Sequence, residues 1–402
     1  MAKDKSINHA GRAHALLSAS GASRWMRCTP SARLEEGFKS ESSIYAAEGT
    51  LAHEFAELAL RFSQKQITED AYASALADLR KNTLYTDDME GHVDKYVDHV
   101  LESYAEAKGI TPDALMLIEE RVDLTHYIEE GFGSCDDIII ADKLLIVEDL
   151  KYGKGVKVNA EDNSQLKLYA LGALRRYELH FDIDTVRMSI IQPRLDHIST
   201  WEISASDLIE WGETVVKPTA AKAYAGEGDL CAGDWCRWCK AAPKCRALSD
   251  FSISSAKMDF ADQDNPKESD PSILSNTELS ELYLKIPIIE IWINKVQEYM
   301  LDAAIKGKEF PDLKLVEGRS VRMWQDTSKV EEILKENGLT EEQIYTQKIQ
   351  GIGAVEKVLG KPKFTELLSG VVVKPQGKPS LVHISDKREA LGVASAKNDF
   401  AD

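Results

Sequence analysis

Two short apolar runs, Asp136 to Ala141 and Leu144 to Lys151, carry acids that an apolar strand does not tolerate without compensation, and they constrain this chain more than any other stretch. The polar joint Asp142-Lys143 separates them, so together they read as a β-hairpin with a two-residue turn. Ala141 then faces Leu144, and counting outward sets Asp136 opposite Asp149 and Asp137 opposite Glu148. Opposed residues have Cβ atoms about 4.5–5.5 Å apart, close enough for two carboxylates to share one divalent cation. Strand alternation places Lys151 on the face of Asp149, and Asp137 with Glu148 on the other face. Ile138, Ile139, Ile140, Leu145, Ile146 and Val147 fill the rest, so the acids need partners or a metal ion.

Two acids and an amine on one face suit phosphodiester hydrolysis. The acids would hold Mg²⁺ or Mn²⁺ through oxygen, the metal would activate water, and a lysine would position that water and offset developing negative charge. The alternative is a structural salt bridge between Asp149 and Lys151.

The flanking pattern is that of an α/β domain. Glu48 to Phe62 and Asp87 to Ala107 show apolar residues at helical spacing. Leu115 to Val122 is a strand candidate ahead of the hairpin. Asn163 to Tyr177 reads as a helix, Thr185 to Gln192 and Ser199 to Ile203 as strands, and Asp207 to Tyr224 as a helix interrupted by Pro218. Helices, three strands, helix, two strands, helix is the order of a mixed sheet flanked by helices. We place this domain at 1–250, an acidic linker at 251–272, an α-rich domain at 273–380 and an acidic tail at 381–402. The α-rich domain opens on a capping-box pattern at Ser275 and Glu278 and contains Ile286 to Ile305, Glu331 to Asn337 and Ile352 to Leu359 as helices.

The net charge of −18 over 402 residues argues against a protein that coats nucleic acid, but not against a nuclease with a local basic strip. Lys151, Lys154 and Lys157 are candidates for that strip, and Arg319, Arg322 and Trp324 for a second phosphate-and-stacking surface. No apolar run approaches a membrane span or a signal peptide, so the expected compartment is the cytoplasm. Among six cysteines, Cys236, Cys239 and Cys245 form a compact ligand loop that Cys28 would complete. Four thiolates suit a [4Fe–4S] cluster or Zn²⁺, and spacing alone does not separate them. Cys231 is a fifth nearby cysteine that could replace Cys28.

Four motifs in order resemble the PD-(D/E)XK nucleases of the RecB-like branch: Gly49-Thr50-Leu51-Ala52-His53, Gly133-Ser134-Cys135-Asp136, Glu148-Asp149-Leu150-Lys151 and Gln165-Leu166-Lys167-Leu168-Tyr169. The resemblance implies a restriction-endonuclease-like core. His53, Asp136, Asp149 and the Leu150 carbonyl would ligate metal and Lys151 would orient water, with Gln165 and Tyr169 beside the site. Glu119 would be an auxiliary acid, with Glu120 its neighbouring alternative. One cysteine before the core and three after it is similar to iron–sulfur nucleases of the AddB and CRISPR-adaptation types. The cluster would then clamp the ends of the domain across a loop of about 200 residues.

Lys314 to Arg322 and Lys378 to Val382 extend the resemblance to a phage-associated family of uncharacterised proteins with this core, which implies a role in phage DNA replication or recombination, inside a bacterial host, but not a defined substrate; DNA is the expected partner. The peptide Ser255 to Asp262 recurs as Ser395 to Asp402, an acidic motif with one phenylalanine that could dock a phage or host replication or recombination protein. No phosphate-binding G-x-x-x-x-G-K-[ST] loop occurs, so ATP hydrolysis is not expected. The competing expectation is a catalytically inactive DNA-binding or assembly protein of the same fold.

Overall fold

The computed structural model describes residues 15–38, 44–256 and 276–311, with 313, 335, 341 and 359–368 besides. Met1–Gly307 and Lys308–Asp402 are two compact units. In the first unit, helices α1 (Ile44–Ser63), α2 (Glu69–Leu79) and α3 (Asp87–Ile110) precede the sheet. The strands are β1 (Leu115–Asp123), β2 (Phe132–Ala141), β3 (Leu144–Leu150), β4 (Thr185–Gln192) and β5 (His197–Ser204), paired in that order. All neighbours are antiparallel except β3 and β4. That parallel pair needs a crossover, and α4 (Ser164–Tyr177) supplies it. The class is therefore α/β, with a central mixed sheet flanked by helices.

Every residue of β3 is buried, because helices cover both faces of the sheet. One face packs on Leu51, Phe55 and Leu60 of α1 and Met89, Val93 and Val100 of α3. The other packs on Leu166, Ala170 and Leu174 of α4 and on the segment holding Leu17, Ala22 and Trp25. The expected helix at 207–224 is three pieces: α5 (Ala205–Trp211), a π-helical turn Gly212–Val216, and α6 (Lys217–Ala225). Pro218 is tolerated because it lies in the first turn of α6, where a missing N–H costs nothing.

The hairpin register is the one counted from the sequence as far as Asp137–Glu148; the expected pair Asp136–Asp149 lies beyond the ladder. Ala141 pairs with Leu144 and Asp137 with Glu148, on either side of the Asp142-Lys143 turn. Beyond that point β1 and β2 break their alternation together. Met116, Ile118, Ile139 and Ala141 face α1 and α3, yet Val122 and Cys135 face the opposite core. The ladder runs from Ile118–Asp137 to Glu120–Cys135, so the break falls at Glu119 and Asp136. Glu119 has φ of 51°, a left-handed backbone rare for a residue with a side chain.

Helix α7 (Arg246–Ala256) follows the cysteine segment, and α8 (Asn276–Ile305) runs through Pro287 without ending. Ile288, Ile291 and Trp292 of α8 pack with Cys236, Cys239, Ala242 and Leu248. That apolar contact places α8 in the first unit, ahead of the boundary at Gly307, where the sequence reading starts a new domain at 273. In the second unit, α9 (Lys361–Leu368) buries Phe364. Ser275, Arg319, Arg322, Trp324, the helices expected at 331–337 and 352–359 (isolated positions apart), most of the linker and the repeat from 257, and the tail lie outside the described residues. Among the described residues no helix is long and apolar enough to cross a membrane.

Gly172 tests the packing of α4 on β1. An added Cβ there would lie 2.9 Å from Val122 Cβ and 3.1 Å from the Asp123 carbonyl oxygen. Overpacking of about 1–3 kcal/mol should outweigh the roughly 1 kcal/mol that alanine gains over glycine in a helix. Gly109, in the last turn of α3, has nothing within 4 Å of such an atom. In urea titrations Gly172→Ala should lower the unfolding midpoint while Gly109→Ala holds or raises it.

Candidate functional site

The break in β1 and β2 brings three ligand groups together. His53 Nδ1 on α1 lies 3.3 Å from Asp136 Oδ1 and 3.8 Å from Glu119 Oε1. Ligand atoms of His53, Glu119 and Asp136 all lie within 4.8 Å of one another, a spacing that can hold a metal ion. Register position 119 is opposite 136 across the β1–β2 ladder, and the left-handed turn of Glu119 delivers its carboxylate to this point. Of the two acids the sequence leaves open, Glu119 is the one in the site. Glu120 pairs instead with Arg176 of α4.

Asp149 and Lys151 complete the site. Lys151 Nζ lies 2.8 Å from Asp149 Oδ2 and donates to Gln165 Oε1 at 3.2 Å. Gln165 Nε2 donates to Asp149 Oδ1 at 2.8 Å and contacts Tyr169 Oη at 3.2 Å. Asn163 fixes this geometry: its side chain caps α4 by accepting from the N–H groups of Gln165 and Leu166. Gln165 then stands in the first turn, with Tyr169 one turn later on the same face. Leu150 enters the site through its N–H, which donates to Asp136 Oδ2 at 2.7 Å. Asp149 Oδ2 is buried and, its ion-pair contact apart, has no aligned hydrogen bond.

The electrostatics are those of a site short of positive charge. Desolvation disfavours imidazolium at His53, yet Asp136, Glu119 and Asp149 outweigh it and raise its pKa to about 10. Desolvation alone would raise Asp136; the charge and hydrogen bond of His53, with Lys151 and the Leu150 N–H, hold its carboxyl below the ordinary value. Burial pushes Asp149 up against the pull of Lys151. Lys151 loses by its own desolvation but is held above its usual value by Asp149 and Asp136. A proton on His53 thus occupies the place that a cation would take, and the donor set of one imidazole and two carboxylates fits a divalent ion.

On the opposite face of the hairpin lies a polar layer whose acids the sequence exposed but whose partners it did not. Tyr96 Oη donates to Asp137 Oδ2 at 2.5 Å, Ser103 Oγ donates to Glu148 Oε1 at 2.8 Å, and His99 Nε2 lies 3.2 Å from the same oxygen. Burial raises Asp137 well above the usual range despite the Tyr96 hydrogen bond. Tyr96, His99 and Ser103 follow at i, i+3 and i+7 on α3, a spacing that an apolar-stripe reading passes over.

The cysteines converge as well. Cys28, Cys231, Cys236, Cys239 and Cys245 line one cavity together with Arg24, Leu34 and Trp235. Among the described residues no three of their sulfurs lie mutually within 4.8 Å. Burial pushes Cys236 to about 11 and Cys239 to about 12, so without a metal these thiols stay neutral. The Cys231 N–H donates to Cys28 Sγ at 3.4 Å. Polar contacts clamp the same two segments: Glu35 accepts from Lys240 N at 2.6 Å and pairs with Arg24 at 2.7 Å, while Arg33 Nε donates to the Tyr224 carbonyl at 2.7 Å. Cys135 is a buried small residue between β2 and α4.

The family described as "Protein of unknown function (DUF2800)" matches residues 14–389. The chain belongs to this family. Among solved structures, "Crystal structure of SSO0001" is similar at 17% identity over 55% of this chain and 95% of that one, with a TM-score of 0.20. That match carries no argument about the site. The match spans His53, Glu119, Asp136 and the cysteines alike.

The raised pKa of His53 sets a pH dependence. Its folded value, about 10, exceeds the unfolded value near 6.5. Its contribution to stability is therefore complete below about pH 6.5 and is lost as the pH rises towards about 10. In chelator-treated protein, the gap in unfolding temperature between wild type and His53→Gln should be widest near pH 6 and close by pH 10. A gap that widens with pH would contradict the assigned charge state.

Proposed function

We propose that this protein is a Mg²⁺- or Mn²⁺-dependent DNA nuclease of the PD-(D/E)XK type. The observation that carries the reading is the approach of His53, Glu119 and Asp136 within 4.8 Å, beside the Asp149–Lys151–Gln165 network. The resemblance of four ordered motifs to the RecB-like branch supports the same assignment. His53, Asp136, Asp149 and the Leu150 carbonyl would hold the ion, with Glu119 as a further carboxylate at the same point. A divalent cation there supplies Lewis acidity for a phosphate oxygen and lowers the pKa of water.

The chain's own groups do the rest. Asp149 and Gln165 hold the Lys151 ammonium in place, so it can donate to an attacking water and to the oxygens on which charge develops. Water oxygen bonds to phosphorus and releases a proton to solvent, the bridging P–O bond breaks, and the leaving oxygen takes a proton from solvent. Gln165 and Tyr169 form the wall beside this path. The expected substrates are DNA ends or single strands, processed during phage replication or recombination.

Cys28, Cys236, Cys239 and Cys245 would hold a [4Fe–4S] cluster that joins the N-terminal segment to the end of the sheet domain. Four thiolates would suit zinc as well; the arrangement of one cysteine before the core and three after it, which resembles that of iron–sulfur nucleases, favours the cluster. Protein purified without air should be brown and carry iron and sulfide; zinc alone would overturn the cluster.

Cleavage of end-labelled linear, circular and single-stranded DNA with Mg²⁺ or Mn²⁺ tests the activity. Wild type should cut, and Lys151→Ala should lose about 100- to 1,000-fold in rate. Absence of cutting by wild type on every substrate, or equal cutting by Lys151→Ala, would refute the reading.

A further inference from the structure

The loop that leaves Lys151 carries a feature the metal site does not explain. It runs Tyr152-Gly153-Lys154-Gly155-Val156-Lys157-Val158-Asn159-Ala160, with both later lysines exposed. Among the described residues neither Lys154 nor Lys157 has an ion-pair partner, in a chain where Asp and Glu outnumber Lys and Arg by 67 to 49. Gly153 and Gly155 have open space where a Cβ would stand, and neither takes a positive φ. Neither packing nor backbone geometry calls for glycine there, and the bare backbone leaves room for another molecule to approach closely.

The second half of this loop is nevertheless fixed. Gln192, 2% exposed at the end of β4, accepts from Val158 N at 2.7 Å and donates to the Val156 carbonyl at 2.9 Å. One buried side chain therefore holds the peptide groups on both sides of Lys157, as a strand partner would. His197 Nε2 lies 3.1 Å from the Val158 carbonyl, and Ser199 Oγ accepts from Ala160 N at 3.0 Å. Ile191, the residue before Gln192, accepts from Lys151 N at 2.9 Å. The end of β4 thus sets the position of Lys151 and of Lys157 together.

We propose that Gln192 is a positioning residue that holds Lys157, with Lys154 beside it, as a rail for the backbone phosphates that adjoin the scissile one on the DNA strand cut at the metal site. The proposal rests on the nuclease reading for the identity of the strand. Charge complementarity selects the occupant: two unpaired ammonium groups continue from Lys151 along open, glycine-flanked backbone. A buried glutamine is well suited to the task, since its amide offers one donor and one acceptor at the spacing of a peptide pair.

The test compares wild type, Lys154→Ala/Lys157→Ala, Gln192→Met, Lys157→Ala and Gln192→Met/Lys157→Ala as full-length proteins. Binding of a fluorescent single-stranded oligonucleotide with Ca²⁺ is measured across salt, and cleavage kinetics with Mg²⁺. Removing both lysines should flatten the salt dependence by about 1.4 in slope and raise KM about tenfold with kcat held. Gln192→Met should raise KM severalfold alone but add nothing once Lys157 is alanine, which general loss of structure would not reproduce. If wild type cuts DNA and the lysine pair leaves KM and slope unchanged, the rail is wrong and the nuclease stands. If wild type binds with the expected slope but cuts nothing, the rail stands and the nuclease reading falls. Additive effects of Gln192→Met and Lys157→Ala would remove the positioning role.

Discussion

The structure depends on charge compensation around Asp136 and Asp149, two acids on neighbouring strands rich in apolar residues. Uncompensated, either would cost several kcal/mol to bury. His53 from α1, Lys151 and Gln165 supply the compensation, and each arrives from a different element. The sheet can close over these acids only if α1 and α4 sit where they do, so the site and the fold are specified by the same contacts. The compensation is also incomplete: a buried Asp149 oxygen lacks an aligned donor, and His53 retains a proton well above its ordinary range. In the proposed reading a divalent cation would complete it.

The break in alternation at Glu119 and Asp136 makes room for it. In a regular strand Glu119 would leave the ladder at right angles to the sheet, and Ile118 and Val122 would share a face. The left-handed residue costs of order 1–3 kcal/mol. In return it turns a carboxylate into the ligand group and moves the strand ends to the other core. The site therefore lies where the two helical layers meet, reached by His53 from one and by Gln165 and Tyr169 from the other.

Much of this was legible in the sequence where period and spacing control geometry. The two-residue turn and strict alternation give the register from Ala141–Leu144 outward, and the i, i+4 spacing of Gln165 and Tyr169 gives their common face. The convergence of Cys28 with Cys236, Cys239 and Cys245 follows from the resemblance and not from any periodicity. What stayed hidden depends on single backbone choices or long-range contacts. Glu119 and Glu120 cannot be told apart without the left-handed φ. Gln192 looks like the polar end of a strand until the loop it brackets is folded over it. Tyr96 and Ser103 read as parts of a helical face because the acids they satisfy lie more than forty residues away. The place of α8 was obscured because the acidic stretch before it reads as a linker, whereas the helix packs on the cysteine segment.

The central claim is that His53, Glu119, Asp136 and Asp149 surround one divalent cation. The most direct measurement is anomalous diffraction from crystals of the full chain soaked in Mn²⁺. The account predicts a peak within about 2–2.5 Å of ligand atoms of His53 and Asp136, lost in Asp136→Asn. A map with no peak there, or with manganese bound only at surface carboxylates, would contradict it.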